Sequence, residues 1–172
     1  MDALARRIGI SGRGLLTLAV VIGVLVAVSV PRLQSFAREE NERDARQAAA
    51  LLATRLPAAR GAALPPLAEL SRDLLPQLAD AEFLAGGRAL RRHGYVFAVR
   101  RLARPPAPRE AVPAGSVLAV HAWPWRHGPS GTHSFLALDD GRLFRHSDPA
   151  GRWSGLSPPI DPWSWQGWRE LR

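Results

Sequence analysis

The sequence contains no cysteine and no lysine. The first absence removes disulfides, thiolate metal sites and a cysteine nucleophile. The second makes all 23 basic residues arginine and removes the lysine that a phosphate-cradling loop needs: Gly128 and Gly131 flank Pro129 with no lysine after them. A formal charge of +8 raises the question of nucleic acid. The arginines, however, are spread from Arg6 to Arg172 and form no single basic block; with abundant Ala, Pro and Gly they look like the bias of a GC-rich genome. No nucleic-acid partner is expected.

Charge is also missing from residues 15–30 (LLTLAVVIGVLVAVSV), which run from Leu15 to Val30 with only Thr17 and Ser29 polar. Both hydroxyls are able to bond back to helix carbonyls. At 1.5 Å per residue the run reaches roughly 24 Å against ~30 Å of hydrocarbon, so Arg13 and Arg32 are expected to snorkel at its ends. Arginines flank both sides, and the positive-inside count does not set an orientation. A secretory signal ending in Ala27-Val28-Ser29 is the alternative to an anchor. The anchor is favoured because residues 36–56 continue as a helix with no turn signal, carrying Glu39/Arg43 and Glu42/Arg46 as acid-before-base pairs. One helix over 15–56 follows, kinked at Pro31 and stopped by Pro57.

Beyond a Pro/Gly-rich linker at 57–63, Pro66 opens a short helix with Leu67, Leu70, Leu74 and Leu78 at helical spacing. Strands are expected where Tyr95, Phe97 and Val99 alternate with Val96, Ala98 and Arg100, and then at 117–122, ended by Pro124. Two more follow at 134–138 and 142–145, joined by Asp139-Asp140-Gly141, read as a tight turn with both central residues tolerant of positive φ. The segment 104–113 (RPPAPREAVP) is a loop. In the tail, Asp161-Pro162 reads as a helix start, with Trp165 and Trp168 on one face of that helix, covering a sheet edge or docking a neighbour. The fold class is α+β: a long N-terminal membrane helix packed on an antiparallel sheet of about four strands. The divisions are 1–14 (basic leader), 15–31 (transmembrane), 32–57 (soluble continuation) and 58–172 (globular domain with a Trp-rich tail).

Chemistry is sparse. His121, His127, His133 and His146 show no H-x-x-x-H spacing. Alternation puts His133 and Ser134 on opposite faces, and a triad of Ser130 or Ser134 with His146 and Asp139 lacks a nucleophile elbow. No catalytic, cofactor-binding or metal residue is expected, and no small-molecule substrate.

Two sets of residues carry a resemblance. The first is Arg6-Arg7-Ile8-Gly9 followed by an apolar helix with Gly23 and Pro31-Arg32. The second is Gly94-Tyr95-Val96-Phe97, Ala122-Trp123-Pro124, a run from Gly128 through Gly131 to Phe135, and Asp140-Gly141-Arg142. In order and spacing these resemble the type IV pilin-like and type II secretion pseudopilin family. The resemblance implies a leader cut between Gly9 and Ile10 and a non-enzymatic subunit, single-pass in a bacterial inner membrane with its domain in the periplasm. It also implies other pilin-like subunits and an assembly platform as partners, and assembly or structural roles for Gly14, Gly23, Pro31, Tyr95, Phe97, Pro124, Gly131, Phe135 and Gly141. Gly14 stands where the family carries an intramembrane Glu, which implies a minor subunit. An anchored or secreted envelope-binding module is the alternative function.

Overall fold

The computed structural model describes residues 12–56, 64, 66–103, 116–156 and 165–171. The leader residues Gly9 and Ile10, Pro57, the loop 104–113 and Asp161-Pro162 lie outside them. The chain divides into two compact units, Met1–Ala37 and Arg38–Arg172.

Helix α1, Gly12–Ala53, runs through Pro31. Its apolar residues up to Val30 are exposed, and this helix is long and apolar enough to cross a membrane. The Thr17 hydroxyl donates to the Arg13 carbonyl at 3.0 Å, so its polarity is absorbed within the helix. After residue 37 the pattern changes. Ala45, Ala48, Ala49, Leu52 and Ala53 are buried at spacings of three and four, the signature of a helix with one apolar face. Four of the five are alanines, whose small side chains let a helix approach a sheet closely.

The second unit holds a seven-stranded sheet rather than about four strands: β1 Glu82–Leu84, β2 Ala89–Arg92, β3 Tyr95–Ala103, β4 Ser116–Pro124, β5 His133–Leu138, β6 Leu143–Ser147 and β7 Trp168–Leu171. Each strand pairs antiparallel with its neighbour in sequence, in the order β1 to β7. Three strands were not expected. β1 and β2 are too short to show alternation, and β7 replaces the expected tail helix, so Trp165 and Trp168 do not share a helical face. β4 includes Pro124, which sits opposite Tyr95 at the strand's last residue, where a missing N–H does least harm. Of the expected short helix, only α2, Leu67–Leu70, is α-helical; Arg72–Gln77 is a 3-10 segment with Pro76 inside.

Strand β3 was read as half-buried, yet it is buried on both faces from Tyr95 to Val99. Tyr95, Phe97, Val99, Val120, Ala122, Phe135 and Ala137 pack with the helix residues in the main core. The other face carries two smaller clusters, one around Leu136, Leu138 and Phe144 with Trp165 and Trp168, the other around Val96, Ala98 and Trp123 with Trp125 and Trp153. Trp123, Trp125, Trp153, Trp165 and Trp168 form the second layer, an arrangement that strand alternation alone does not reveal.

Two hairpins differ from the simple turn rules. Between β2 and β3, His93 (φ 43°) and Gly94 (φ 75°) occupy the turn with Arg92 opposite Tyr95, a type I′ geometry. Between β5 and β6, Gly141 has φ 87° but Asp140 does not lie at positive φ. The Gly141 N–H donates to the Leu138 carbonyl at 3.1 Å, and the Leu138 N–H to the Arg142 carbonyl at 2.9 Å. This is a type I turn closed by a glycine bulge, in place of the two-residue turn the Asp-Gly pair suggested.

Candidate functional site

The pattern residues of the globular domain meet on one seam between α1 and the loop before β5. The Tyr95 hydroxyl donates to the His133 carbonyl at 2.9 Å. Gly131 lies directly beneath it: a Cβ there would enter the Tyr95 hydroxyl and come within 2.8 Å of its Cζ. Tyr95 stacks tilted on Phe135 at 6.0 Å between ring centroids, and burial pushes its phenol pKa far up. Gly94 lies against Ser130, whose carbonyl accepts from Asn41 Nδ2 at 3.2 Å. Glu42 accepts from the Thr132 N–H at 2.9 Å, and its other oxygen lies 2.9 Å from His133 Nδ1.

Tyr95, Phe97, Gly131 and Phe135 therefore come together, with Pro124 opposite Tyr95 at the end of β4. Gly141 lies in the β5–β6 turn, and Gly14, Gly23 and Pro31 are in the apolar part of α1, where nothing lies within 4 Å of a Cβ placed on Gly23. Sequence reasoning missed Asn41 and Glu42. The sequence pattern pairs Glu42 with Arg46 on the surface, whereas its carboxylate holds the Thr132 N–H and faces the His133 ring. Only an unmatched polar pair on the otherwise apolar face of α1 would have hinted at this.

Glu42→Gln tests the seam. It retains an acceptor for Thr132 and removes the charge facing His133. Loss of charge-assisted hydrogen bonding of this kind costs about 1–2 kcal/mol, read as a lower urea midpoint with an unchanged slope.

A second polar group locks the β2–β3 hairpin to the same helix. Arg92 reaches Asp44 at 3.0 Å and Asp80 at 2.7 Å, while the two nitrogens of His93 face Asp44 and Asp80. The hydrogen bond from Arg92 holds the Asp80 carboxyl below its usual range. Arg91 pairs with Glu82 and lies over Trp125, 5.1 Å from the ring centroid. Every charge here has an opposite neighbour, which describes a structural clasp better than an anion site. Beside it is a cleft of about 350 Å³.

A larger cleft, about 750 Å³, lies on the second sheet face between Ala89, Ala98 and Trp123, flanked by Arg88 and Arg100. His133 and Ser134 point to opposite faces, as expected. Ser134 is buried under the tryptophan layer opposite His146, without the exposure a nucleophile requires. Among the described residues no group of three or more His, Asp or Glu is placed to hold a metal ion. The chain matches no family model, no curated protein and no solved structure.

Proposed function

We propose that the chain is a non-enzymatic pilin-like or pseudopilin subunit. It is anchored in a bacterial inner membrane by the apolar part of α1, with its sheet domain in the periplasm, and assembles with other pilin-like subunits on a secretion or pilus platform. The observation that supports this most is α1 itself: one helix is exposed and apolar up to Val30 and then supplies Ala45, Ala49 and Leu52 to the core of an antiparallel sheet. A helix that served only as a secretory signal would have no reason to continue into that core.

Gly14 and Arg13 refine the role. A charge within the bilayer is unfavourable by roughly 3 kcal/mol unless satisfied, so an intramembrane Glu makes each helix seek a partner. Gly14 makes no such demand, and Arg13 opposes close stacking of identical helices. The chain is accordingly a minor or tip-like subunit that requires unlike neighbours.

Intact mass and shearing test this reading together. The membrane-retained product is expected to begin at Ile10, and expression of this chain alone is expected to yield no long filaments, with low-order crosslinks that depend on co-expressed partners. A soluble chain beginning at Val30, or abundant filaments of the single chain, would overturn it. The second reading, an anchored envelope-binding module, draws on the 750 Å³ cleft flanked by Arg88 and Arg100. It is favoured if crosslinking recovers a partner through that cleft and none through α1.

A further inference from the structure

The tryptophan layer over the second sheet face encloses two histidines from different strands. His121, on β4, is fully buried, 4.9 Å from Trp123 and 5.6 Å from Trp153 between ring centroids, and 5.9 Å from Trp168. His146, on β6, lies 4.7 Å from Trp153 and 5.2 Å from Trp168. Trp153 and Trp168 are thus the lid over both imidazoles. They belong to the last parts of the chain: the stretch after β6 and the four-residue edge strand β7.

The surroundings accommodate neutral rings. Arg100, on β3, acts on His121 as a like charge, as does His146; Arg152 acts in the same way on His146. The one carboxylate acting on His146 is Asp148, which is already occupied by the Trp153 N–H at 2.9 Å and by Arg152 at 3.5 Å. Glu170 sits opposite Phe144 on the β7 side and is exposed. Among the described residues neither His146 Nδ1 nor its cross-strand neighbour Ser134 Oγ makes a hydrogen bond; the backbone of Gln166 and Ser147 favours a charged ring, but burial and Arg152 outweigh it. Gly167, at φ 85°, brings the chain before β7 against the same ring, and a Cβ there would meet it.

We propose that the segment bearing Trp153 and strand β7 forms an acid-labile cover: when His121 and His146 take up protons it lifts from the sheet, while the helix-side core stays packed. Burial, with Arg100 and Arg152, depresses both imidazoles below their ordinary value of 6.5. The neutral form is therefore the one favoured by the closed state. The contribution is fully present above about 6.5 and is lost as pH falls below it, by up to about tenfold in the closed-to-open ratio per pH unit for each histidine.

Opening is local because of how the cover is attached. β7 pairs only with β6, and Trp165 Nε1 donates to the Ala103 carbonyl at 2.9 Å. The Trp153 segment is tied at its far end, where the Gly155 carbonyl accepts from Trp123 Nε1 at 2.8 Å, the Gly155 N–H and the Ser154 hydroxyl donate to the Trp125 carbonyl, and the His127 N–H donates to Ser154 Oγ. Neither histidine belongs to the main core, and of the cover's residues only Leu171, half-buried, packs against it. The face uncovered would present Ala119, Leu136, Leu138 and Phe144 to solvent. The device does not depend on the pilin-like reading.

Hydrogen exchange on the full chain in detergent micelles tests it. Between pH 7.5 and 5.0, after correction for the intrinsic pH dependence, protection in 168–171 is expected to fall about tenfold or more while that of β3 and β4 stays within about twofold. Tryptophan emission should shift red over the same range with the far-ultraviolet helix signal unchanged. Protection lost together in β7 and β4, or lost in neither, would overturn the proposal. His146→Gln and His121→Phe, each unable to charge, should move the emission change to lower pH; opening at the unchanged wild-type pH in both would remove the histidines as the trigger. If either variant fails to fold, the wild-type exchange pattern alone still decides.

Discussion

Gly131→Val is expected to destabilise the sheet domain by roughly 3 kcal/mol or more, the range of severe overpacking at a fully buried site. Even the first carbon of a new side chain collides with the Tyr95 hydroxyl and lies 2.8 Å from Cζ and 3.0 Å from Cε2. Tyr95 cannot yield easily, since it is completely buried against Phe135 and its hydroxyl is held by the His133 carbonyl. The space argument also foresees how a second substitution behaves. Tyr95→Phe alone should cost about 1 kcal/mol for the lost hydrogen bond. Combined with Gly131→Ala, it removes the worst clash but leaves the ring carbons too close, so the rescue should be partial and the pair non-additive. Urea unfolding followed by near-ultraviolet circular dichroism measures all three. Full additivity would mean that Gly131 is constrained by something other than this ring.

Val21→Arg with Leu25→Arg should release the chain from the membrane. The two positions lie one turn apart on the exposed apolar part of α1. An arginine near the centre of a membrane helix is unfavourable by about 2.5–3.5 kcal/mol on insertion scales, so the pair amounts to about 5–7 kcal/mol. Alkaline extraction of membranes reads the outcome, with the double variant moving to the soluble or aggregated fraction. Leu33→Arg with Phe36→Arg is the control. Those side chains are equally exposed but lie beyond Arg32, and their replacement should leave retention unchanged. Retention of the first variant would show that the apolar part of α1 is not the anchor.

The helix was legible because its signals are local. An unbroken apolar run and then apolar residues at three and four placed it over 15–56, against Gly12–Ala53 observed. Strands β3 to β6 were legible for the same reason, through alternation and the Asp-Gly turn. What escaped was structure created by pairing. β2 reads ALRR and β1 reads EFL, neither of which has a period. They are strands because the His93-Gly94 turn folds one back onto β3 and the other follows. In β7, WREL follows a proline-bearing stretch and suggested a helix, yet its backbone is claimed by the edge of β6. The burial of β3 on both faces needed knowledge of the tryptophan layer. Likewise Tyr95 and Gly131 could be singled out as residues of a pattern, but their contact crosses from β3 to the loop before β5, and the bond from Thr132 to Glu42 beside it joins positions 90 residues apart.

A sheet whose strands pair only with their neighbours in sequence can be assembled one hairpin at a time as the chain emerges. Each new strand closes a short loop onto an edge already formed, a low-contact-order route that favours rapid folding. The longest-range exceptions include the bonds that tie Asn41 and Glu42 to Ser130 and Thr132, which join an early segment of the chain to one made much later. Helix α1 is therefore fixed in two stages, first through Asp44 to Arg92 and His93 of the β2–β3 hairpin and, after an interval, by the turn before β5. Its apolar alanine face is only partly covered during that interval, the period in which the nascent chain is most exposed to aggregation.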